Sequence, residues 1–288
     1  MRALALPRWV LFVLPALMLI GIYLVWPALE TLRLSFYAKR GEGFVGLGNY
    51  IWLAGQGAFR EAIRNNLLWL LIVPFASTAL GLLAAELSLR ISWGWLARLV
   101  IFMPIAISFV GAAVIWKLVF EHRPDGAAQI GALNALVQAL GGSKQLWLAL
   151  PGWNNLLLMA VMIWTQTGFA MVLLTAALRA VPAETIEAAR LDGASARRVF
   201  FDIKLPQIRG VLALVWVAIA VMVLKIFDLV FVMTGGQWGT QVLANLLYDF
   251  MFRGTPDYGR GSAVAVVLMA LVAPVMVLNI RWMRRGGV

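Results

Sequence analysis

The sequence contains no cysteine and a single histidine, His122, so several kinds of chemistry are missing from it. Without cysteine the chain has no disulfide, no thiolate metal site and no cysteine nucleophile. One histidine excludes a multi-histidine metal site and leaves no second imidazole for a catalytic network. Charge is scarce too, since Asp, Glu, Lys and Arg make up 13% of the 288 residues. These absences argue against most classes of enzyme.

Apolar residues are correspondingly abundant, at 62% of the chain with a mean hydropathy of +0.88. Soluble domains are about 45–50% apolar. The net charge is +11, which in a soluble protein suggests binding to nucleic acid. In a chain this apolar, Lys and Arg are better explained as anchors of cytoplasmic loops. We therefore expect a lipid bilayer as the main surroundings and no nucleic-acid partner.

Six apolar runs are long enough to cross about 30 Å of hydrocarbon as helices. They lie near 9–29, 66–89, 98–120, 155–178, 210–233 and 262–282. The sequence thus predicts an all-α membrane protein with six transmembrane helices in a single domain, residues 1–288. The first run has no small-residue cleavage site behind it, so we expect it to be retained.

Charge in the loops predicts the orientation of these spans. With six spans both termini face the same side, and 13 Lys and Arg fall on that side against nine on the other. The remaining two, Lys117 and Lys225, lie within spans. Because cytoplasmic loops are enriched in basic residues, both termini are expected to be cytoplasmic.

The stretch from Arg179 to Arg209, between the fourth and fifth runs, carries ten charged residues but has the pattern of two short helices. Pro182 and Glu184 suit the first turn of a helix, and Gly193 suits its left-handed end. The first helix is therefore predicted to end at a glycine turn.

The second helix is predicted to begin at Ser195, a suitable N-terminal cap, and to end near Leu205 because Pro206 disfavours helical backbone in the residue before it. It presents the neighbouring aromatic side chains Phe200 and Phe201. Clustered aromatic residues outside a bilayer commonly dock onto a partner. The alternative is that both helices lie in the membrane interface and seal the bundle, and the residues alone favour neither interpretation.

The same stretch matches a spaced motif, E-A-A-x3-G-x9-I-x-L-P, from Glu187 to Pro206. A chance match over this chain has a probability below ~1 in 10⁴ at ordinary residue frequencies. The motif resembles that of permease subunits in binding-protein-dependent ABC importers, whose type I architecture places coupling helices in a cleft of the ATP-binding subunit. The resemblance implies an ATPase-coupling interface within about 180–208, formed by Glu187, Ala188, Ala189, Asp192, Gly193, Phe200, Phe201, Leu205 and Pro206.

Further segments resemble one branch of that family, the sugar permeases of the maltose and glycerol-phosphate type. These are F-V-G-L-G-N-Y at 44–50 and F-D-L-V-F-V-M-T-G-G at 227–236. The segments at 237–241 and 258–263 are similar to α-glucoside permeases. The resemblance implies import of a sugar, an oligosaccharide or an α-glucoside such as maltose or trehalose. A non-sugar solute such as glycerol-phosphate is the alternative within the family.

No Gly-Lys-Ser/Thr occurs in the chain, so the loop that cradles ATP phosphates must lie elsewhere. We expect this chain to be no enzyme and to hold no metal or cofactor, with ATP and Mg bound by a separate ATPase dimer. The resemblance also implies a second homologous permease, a periplasmic or lipid-anchored binding protein, and a place in a bacterial or archaeal cell (inner) membrane.

Polar residues within the spans are candidates for a substrate path because burying them is costly. In the fourth run, Trp164 and Gln166 combine an aromatic ring with an amide, as sugar sites do. Lys225 and Asp228 are expected on one face of the fifth helix, where they either neutralise each other or line a cavity. Each has a structural alternative, because Gln joins helices within bundles and Lys225 can snorkel to the interface.

Other polar residues have simpler interpretations. Glu86 precedes Arg90 by four residues, which is ordinary pairing along one helix. Asn245, Tyr248 and Asp249, between the last two runs, belong either to an outer gate or to a surface that receives the binding protein.

Two rival functions make demands that the sequence meets poorly. An ion-coupled secondary transporter wants a carboxylate or broken helices near the midplane, and Asp228 lies too near the outer end. An intramembrane serine protease needs Gly-x-Ser-Gly and a histidine within the membrane, whereas His122 lies in a loop.

Overall fold

The computed structural model describes residues 8–124 and 126–285, with the backbone alone at 8–11, 278–280 and 282–285. Within these ranges every regular element is helical, apart from one isolated antiparallel bridge between Tyr37 and Phe44. The α-helices are α1 Arg8–Ile20, α2 Trp26–Leu34, α3 Gly48–Gly55, α4 Gly57–Ser88, α5 Gly94–Phe102, α6 Phe109–Val119, α7 Ala132–Ala139, α8 Trp153–Arg179, α9 Ala183–Leu191, α10 Ala196–Arg198, α11 Leu205–Gln207, α12 Arg209–Leu224, α13 Asp228–Met233, α14 Leu243–Phe252 and α15 Tyr258–Arg285. Shorter pieces are π-helical at Gly21–Val25 and Val199–Lys204 and 3-10 at Met103–Ala106 and Trp147–Ala149. The predicted all-α fold is confirmed.

Four helices are long and apolar enough to cross a bilayer, namely Phe12–Leu34, Gly57–Ser88, Trp153–Arg179 and Tyr258–Val277. The number reaches six if each of two bent pairs forms one span, Gly94–Ala106 with Phe109–Val119 and Ala196–Gln207 with Arg209–Leu224. Six spans and a single domain over 1–288 therefore stay predictions. So does the cytoplasmic placement of both termini, since 1–7 and 286–288 lie outside the described residues.

The third predicted span, 98–120, is not one continuous helix, which corrects the sequence-based expectation. After α5 a 3-10 turn follows, and α6 leaves it at an angle of 102°. Pro104 in that turn has no N–H to continue the helical ladder. Ser108 then caps α6, because its Oγ accepts a hydrogen bond from the Gly111 N–H at 3.1 Å. A proline followed by a cap is thus the cause of the break.

The fifth predicted span, 210–233, is also interrupted, between the end of α12 at Leu224 and the start of α13 at Asp228. The Lys225 N–H closes α12 with a short-range bond to the Met222 carbonyl at 3.2 Å. Phe227 then leaves helical geometry, with φ −135° and ψ −62°. Asp228 occupies the first turn of α13, where a carboxylate faces the positive end of the helix dipole. Lys225 and Asp228 therefore do not share a face of one helix, and that prediction was wrong.

Helices α4 and α8 form the centre of the bundle and approach each other through small residues. A Cβ atom on Gly81 of α4 would lie 2.5 Å from the Cβ of Ala170 on α8. One on Gly168 of α8 would lie 2.5 Å from the Ile101 carbonyl oxygen of α5. Close approach at small residues is how membrane helices gain packing energy without a hydrophobic driving force. The buried core around these contacts includes Trp69, Leu158, Met162, Leu174, Ile219 and Leu229.

The first candidate span, Phe12–Leu34, contrasts with this centre because none of its apolar window is buried in the chain. Large side chains such as Phe12 and Trp26 stand exposed along it. A helix that is apolar all round needs apolar surroundings, which lipid or another membrane chain provides. Its exposure agrees with the membrane environment that the composition predicts.

Candidate coupling segment and substrate path

Residues 180–208, named the coupling segment, connect α8 to α12 and contain the sequence motif. Its first helix is α9, which is followed by Asp192 and then by Gly193 with φ +81°. The turn is closed by bonds from the Gly193 N–H to the Arg190 carbonyl at 3.0 Å and from the Ala194 N–H to the Ala189 carbonyl at 2.9 Å. This left-handed glycine end confirms the predicted turn.

The second helix of the segment begins as predicted but runs further than predicted. The Ser195 Oγ accepts a bond from the Arg198 N–H at 3.4 Å, so it is the expected cap. The backbone then widens into the π-helical stretch Val199–Lys204 and continues through Pro206 to Gln207. An end near Leu205 was therefore wrong. The Leu205 N–H bonds back to Phe200, five residues earlier, and the wider turn accommodates a proline that lacks the next donor.

The residues that the motif assigns to an interface stand mostly at the surface. Glu187, Ala188, Asp192, Gly193, Phe201 and Pro206 are exposed, while Ala189, Phe200 and Leu205 are half-buried. The Phe200 and Phe201 rings pack edge to face with centroids 5.0 Å apart. Leu191 is 89% exposed, which is unusual for so large an apolar side chain. The surface is thus free to contact another chain, and its role in ATPase coupling stays a prediction.

One contact between this segment and the bundle was not predicted from the sequence. The Lys204 Nζ lies 3.1 Å from both carboxylate oxygens of Glu86 on α4. The side chains of this pair are 17% and 8% exposed, respectively. Glu86 also accepts from Arg90 at 2.7 Å, the pairing that the four-residue spacing predicts. The signal that was available is the lysine directly before Leu205 and Pro206, but 118 residues separate it from its partner.

The predicted path residues of the fourth run lie on α8. Gln166 is buried, and Trp164 is half-buried with its ring edge-on to Trp116, centroids 5.6 Å apart. Lys225 and Asp228 are both exposed, at the two sides of the break between α12 and α13. Within this chain the structure therefore does not bring the four candidates together in one enclosed site.

An aromatic column beside Asp228 was not predicted. It consists of Phe227, Phe231, Tyr248 and Phe252, with successive ring centroids 4.9 to 5.3 Å apart. Phe227 and Phe231 follow the helix break, and the other two rings come from one face of α14. The four-residue spacing of each pair is a sequence signal for a shared helix face, but the pairing of α13 with α14 is tertiary.

Residues 234–241, named the distal turn, lie at the end of α4 opposite to the coupling segment, because they contact its first turns. The Asn65 amide donates to the carbonyls of Gly239 at 2.9 Å and Gln241 at 2.8 Å. Glu61 accepts from the Gln241 N–H at 3.0 Å. From α8, Asn154 donates to the Trp238 carbonyl at 2.6 Å. The turn is therefore held by side chains from two helices.

Trp238 has a special place in the distal turn. Its φ is +54°, the one positive value at a non-glycine residue in the described part of the chain. Its side chain is 53% exposed and lines two cavities of about 370 and 490 Å³. Non-glycine residues with positive φ are strained and persist where their surroundings hold them. Asn245 and Asp249, predicted to belong to an outer gate or to a surface that receives the binding protein, brace this turn through Gln241. The Asn245 amide donates to the Gln241 Oε1 at 2.5 Å, and the Gln241 amide donates to the Asp249 Oδ2 at 3.0 Å.

Among the described residues, no three His, Asp or Glu side chains converge as a metal site requires. The described part of the chain therefore combines an exposed helical segment at one end of α4, a braced turn at the other end, and two interrupted candidate spans.

This combination of exposed apolar helices and interrupted candidate spans is that of a helical membrane protein. The chain matches the binding-protein-dependent transport system inner membrane component family over residues 77–284, and it belongs to that family. It is accordingly an integral membrane protein of the inner membrane, as the sequence predicts.

Sequence similarity to individual permease proteins supports this family membership. The chain is 56% identical to the alpha-glucoside transport system permease protein AglF of Rhizobium meliloti, over 94% of this chain and 81% of that protein. It is 48% identical to the osmoprotective compounds uptake permease protein GgtC of Synechocystis, over 94% and 97% of the two chains. The resemblance to sugar permeases of ABC importers is confirmed.

Solved structures share the fold. A chain of a bacterial ABC transporter for import of the acidic polysaccharide alginate superposes with a TM-score of 0.83 at 19% identity, covering 96% of each chain. A chain of such a transporter in complex with an alginate pentasaccharide-bound periplasmic protein gives 0.79 at 22% identity, covering 96% of this chain and 94% of that one. At these identities the likeness concerns the fold.

Proposed function

We propose that this chain is the transmembrane permease subunit of an ATP-driven importer and that it carries a sugar into the cell. The observation that carries this proposal is the coupling segment, whose family motif lies on an exposed helix, glycine turn and helix. Exposed apolar side chains mixed with charges are typical of a surface that another chain covers. Leu191 and Phe201 beside Glu187 fit that description.

The covering chain in this proposal is an ATP-binding cassette ATPase, present as a dimer. This chain has no Gly-Lys-Ser/Thr for ATP phosphates, so ATP and Mg are held by the ATPase and the permease itself is neither enzyme nor cofactor carrier. A second homologous permease completes the path. A periplasmic or lipid-anchored binding protein delivers the sugar, which is supported by the structural relative described with a sugar-bound periplasmic protein.

The proposed topology has six spans with both termini and the coupling segment in the cytoplasm. The excess of Lys and Arg on that side supports it. The distal turn then faces the binding protein, because it lies at the other end of α4. The interrupted third and fifth candidate spans provide backbone that can change geometry within the bundle.

The proposed substrate is an α-glucoside, such as maltose or trehalose, and 56% identity to an α-glucoside permease supports this class. Sugars bind through aromatic rings against their C–H faces and through polar groups to their hydroxyls. Trp164 and Gln166 on α8 offer these two kinds of group. Asp228 and Lys225 offer charged hydrogen-bonding partners, and Asp228 adjoins the aromatic column.

The first test is purification of the chain from its native membrane in mild detergent, followed by mass spectrometry. We expect co-purification of an ATPase with a phosphate-binding loop and a second permease carrying the same motif. In proteoliposomes with the binding protein, α-glucosides should stimulate ATP hydrolysis more than a non-sugar solute such as glycerol-phosphate does. Recovery of the chain alone, in a preparation where other membrane complexes survive, would contradict the proposal.

The interface itself is tested by charge reversal. We expect Glu187→Lys to abolish sugar uptake and ATPase association while the chain stays folded, because the exposed carboxylate contacts the partner rather than its own chain. Asp202→Lys is the matched control, since it reverses an exposed charge in the same segment outside the assigned residues. Normal uptake by Glu187→Lys would show that the assigned interface is wrong.

A further inference from the structure

The coupling segment is joined to the bundle by a contact whose chemistry differs from the rest of its surroundings. Val181 and Ile208, near the two ends of the segment, are 9% and 3% exposed and pack in the apolar core of the bundle, and such packing has no preferred direction. In the described part of the chain, the side-chain hydrogen bonds from this segment to another helix are those of Lys204 to Glu86. Two directed bonds at 3.1 Å therefore tie the segment to α4.

Stability alone does not account for this contact. A largely buried ion pair gains little net free energy because both charges lose their hydration. An apolar pair at the same positions would hold the segment as well. What the ion pair adds is a defined geometry, since the Lys204 ammonium must follow the Glu86 carboxylate wherever α4 places it.

The far end of α4 makes a comparable set of directed bonds. Asn65 holds the carbonyls of Gly239 and Gln241, and Asn66 accepts from the Leu243 N–H at 2.8 Å. Asn65 and Glu86 lie on one α-helix, about 30 Å apart at the usual helical rise, and Pro74 lies inside the helix between them. One helix thus contacts the coupling segment at one end and the distal turn at the other.

We propose that the Glu86–Lys204 contact is the joint through which movement of the coupling segment is passed to α4, and that α4 carries this movement to the distal turn. Glu86 and Lys204 are positioning residues that touch neither ATP nor sugar. This inference rests on the proposed function, because it takes residues 180–208 as the place where the ATPase acts. It assigns the path of the movement within this chain.

The test separates ATP hydrolysis from sugar uptake in the reconstituted importer. Lys204→Met and Glu86→Gln should each retain ATPase association and ATP hydrolysis but lower the sugar taken up per ATP by roughly five- to tenfold, the low end of measured couplings between sites. Arg90→Met is the matched control, because Arg90, two residues beyond the end of α4, contacts the same carboxylate at 2.7 Å and is half exposed. Its coupling ratio should stay within about twofold of wild type.

A thiol cross-link distinguishes a joint from a merely stabilising contact. Because the chain has no cysteine, Glu86→Cys with Lys204→Cys introduces the two thiols of this subunit. The reduced double variant should be uncoupled, and a short reducible bifunctional thiol reagent should restore uptake per ATP in the same folded protein. Reduction should abolish it again, and each single cysteine variant should not respond.

Failure of this inference differs visibly from failure of the proposed function. If the ATPase binds and the sugar stimulates it, but Lys204→Met couples as well as Arg90→Met, the joint is refuted and the importer stands. An unresponsive double-cysteine variant, with the cross-link verified by mass spectrometry, also refutes the joint. If wild type recruits no ATPase, the proposed function itself falls.

Discussion

The distal turn and the coupling segment contact opposite ends of α4 and are held there in different ways. At the distal turn, side chains from α4 and α8 bond the backbone directly, so the turn has its shape from within this chain. At the coupling segment the surface residues point outward and the joint to α4 is one ion pair. Buried backbone groups must find partners, whereas an exposed surface can be completed by another chain. The comparison indicates that the distal turn is held within this chain, whereas the coupling segment leaves most of its surface free for another chain.

The largest expected effect on stability comes from a substitution that disrupts the distal turn. Asn65→Leu removes both donors from the Gly239 and Gln241 carbonyls and leaves the Asn155 amide without its acceptor, at 3.0 Å in the native chain. Each buried group left unpaired costs roughly 1–3 kcal/mol. We expect a clear fall in the midpoint of thermal unfolding in detergent, whereas Glu187→Lys leaves that midpoint in place. Equal midpoints for the two variants would remove the contrast between the ends.

A smaller and more local effect is expected at the glycine turn of the coupling segment. Gly193→Val puts a β-branched residue at φ +81°, where an L side chain costs about 1–2 kcal/mol. Its Cβ meets nothing within 4 Å, so the strain should weaken ATPase association and uptake without lowering the unfolding midpoint of the bundle.

Two controls isolate the backbone effect at this turn. Gly193→Asn should retain most activity, because asparagine tolerates the left-handed region. Gly210→Val tests the added side-chain volume alone, because a Cβ at Gly210 also has nothing within 4 Å and the φ of Gly210 is not positive. Full uptake by Gly193→Val, or equal damage by Gly210→Val, would show that the left-handed conformation is not what matters.

The smallest expected effect is at Trp238. Trp238→Asn relieves the strain at φ +54° but loses an indole that is about half exposed, and these contributions oppose each other. We expect the free energy of unfolding to change by less than about 1 kcal/mol. A large fall in the free energy of unfolding, measured by thermal unfolding, would show that the Trp238 indole contributes to the packing of the distal turn.

Local rules predicted the elements whose causes lie within a few residues. Gly193 and Ser195 were assigned their backbone roles from spacing alone, and both have them in the structure. The same kind of rule failed at Leu205, because the preceding π-helical stretch changes where a proline can sit. Long apolar runs predicted helices but missed the breaks near Pro104 and Phe227, since hydrophobicity averages over the residues that interrupt it.

The candidate site likewise has some features that local sequence predicts and others that it does not. The motif from Glu187 to Pro206 is a contiguous pattern and could be found in the sequence. The Glu86–Lys204 contact and the aromatic column join residues far apart in the chain, and no local spacing announces them. Lys225 and Asp228 were paired by spacing and are separated by the helix break.

The sequence by itself determined that this chain is helical and lies in a membrane, because apolar run length and the scarcity of charge are summed along the chain. It also determined the family, because the coupling motif is local. Only the tertiary structure decided which spans bend, how Asn65 and Lys204 are used at the two ends of α4, and which surface is left uncovered. These depend on which helices meet, and that follows from close packing at residues such as Gly81 and Gly168 rather than from any one stretch of sequence.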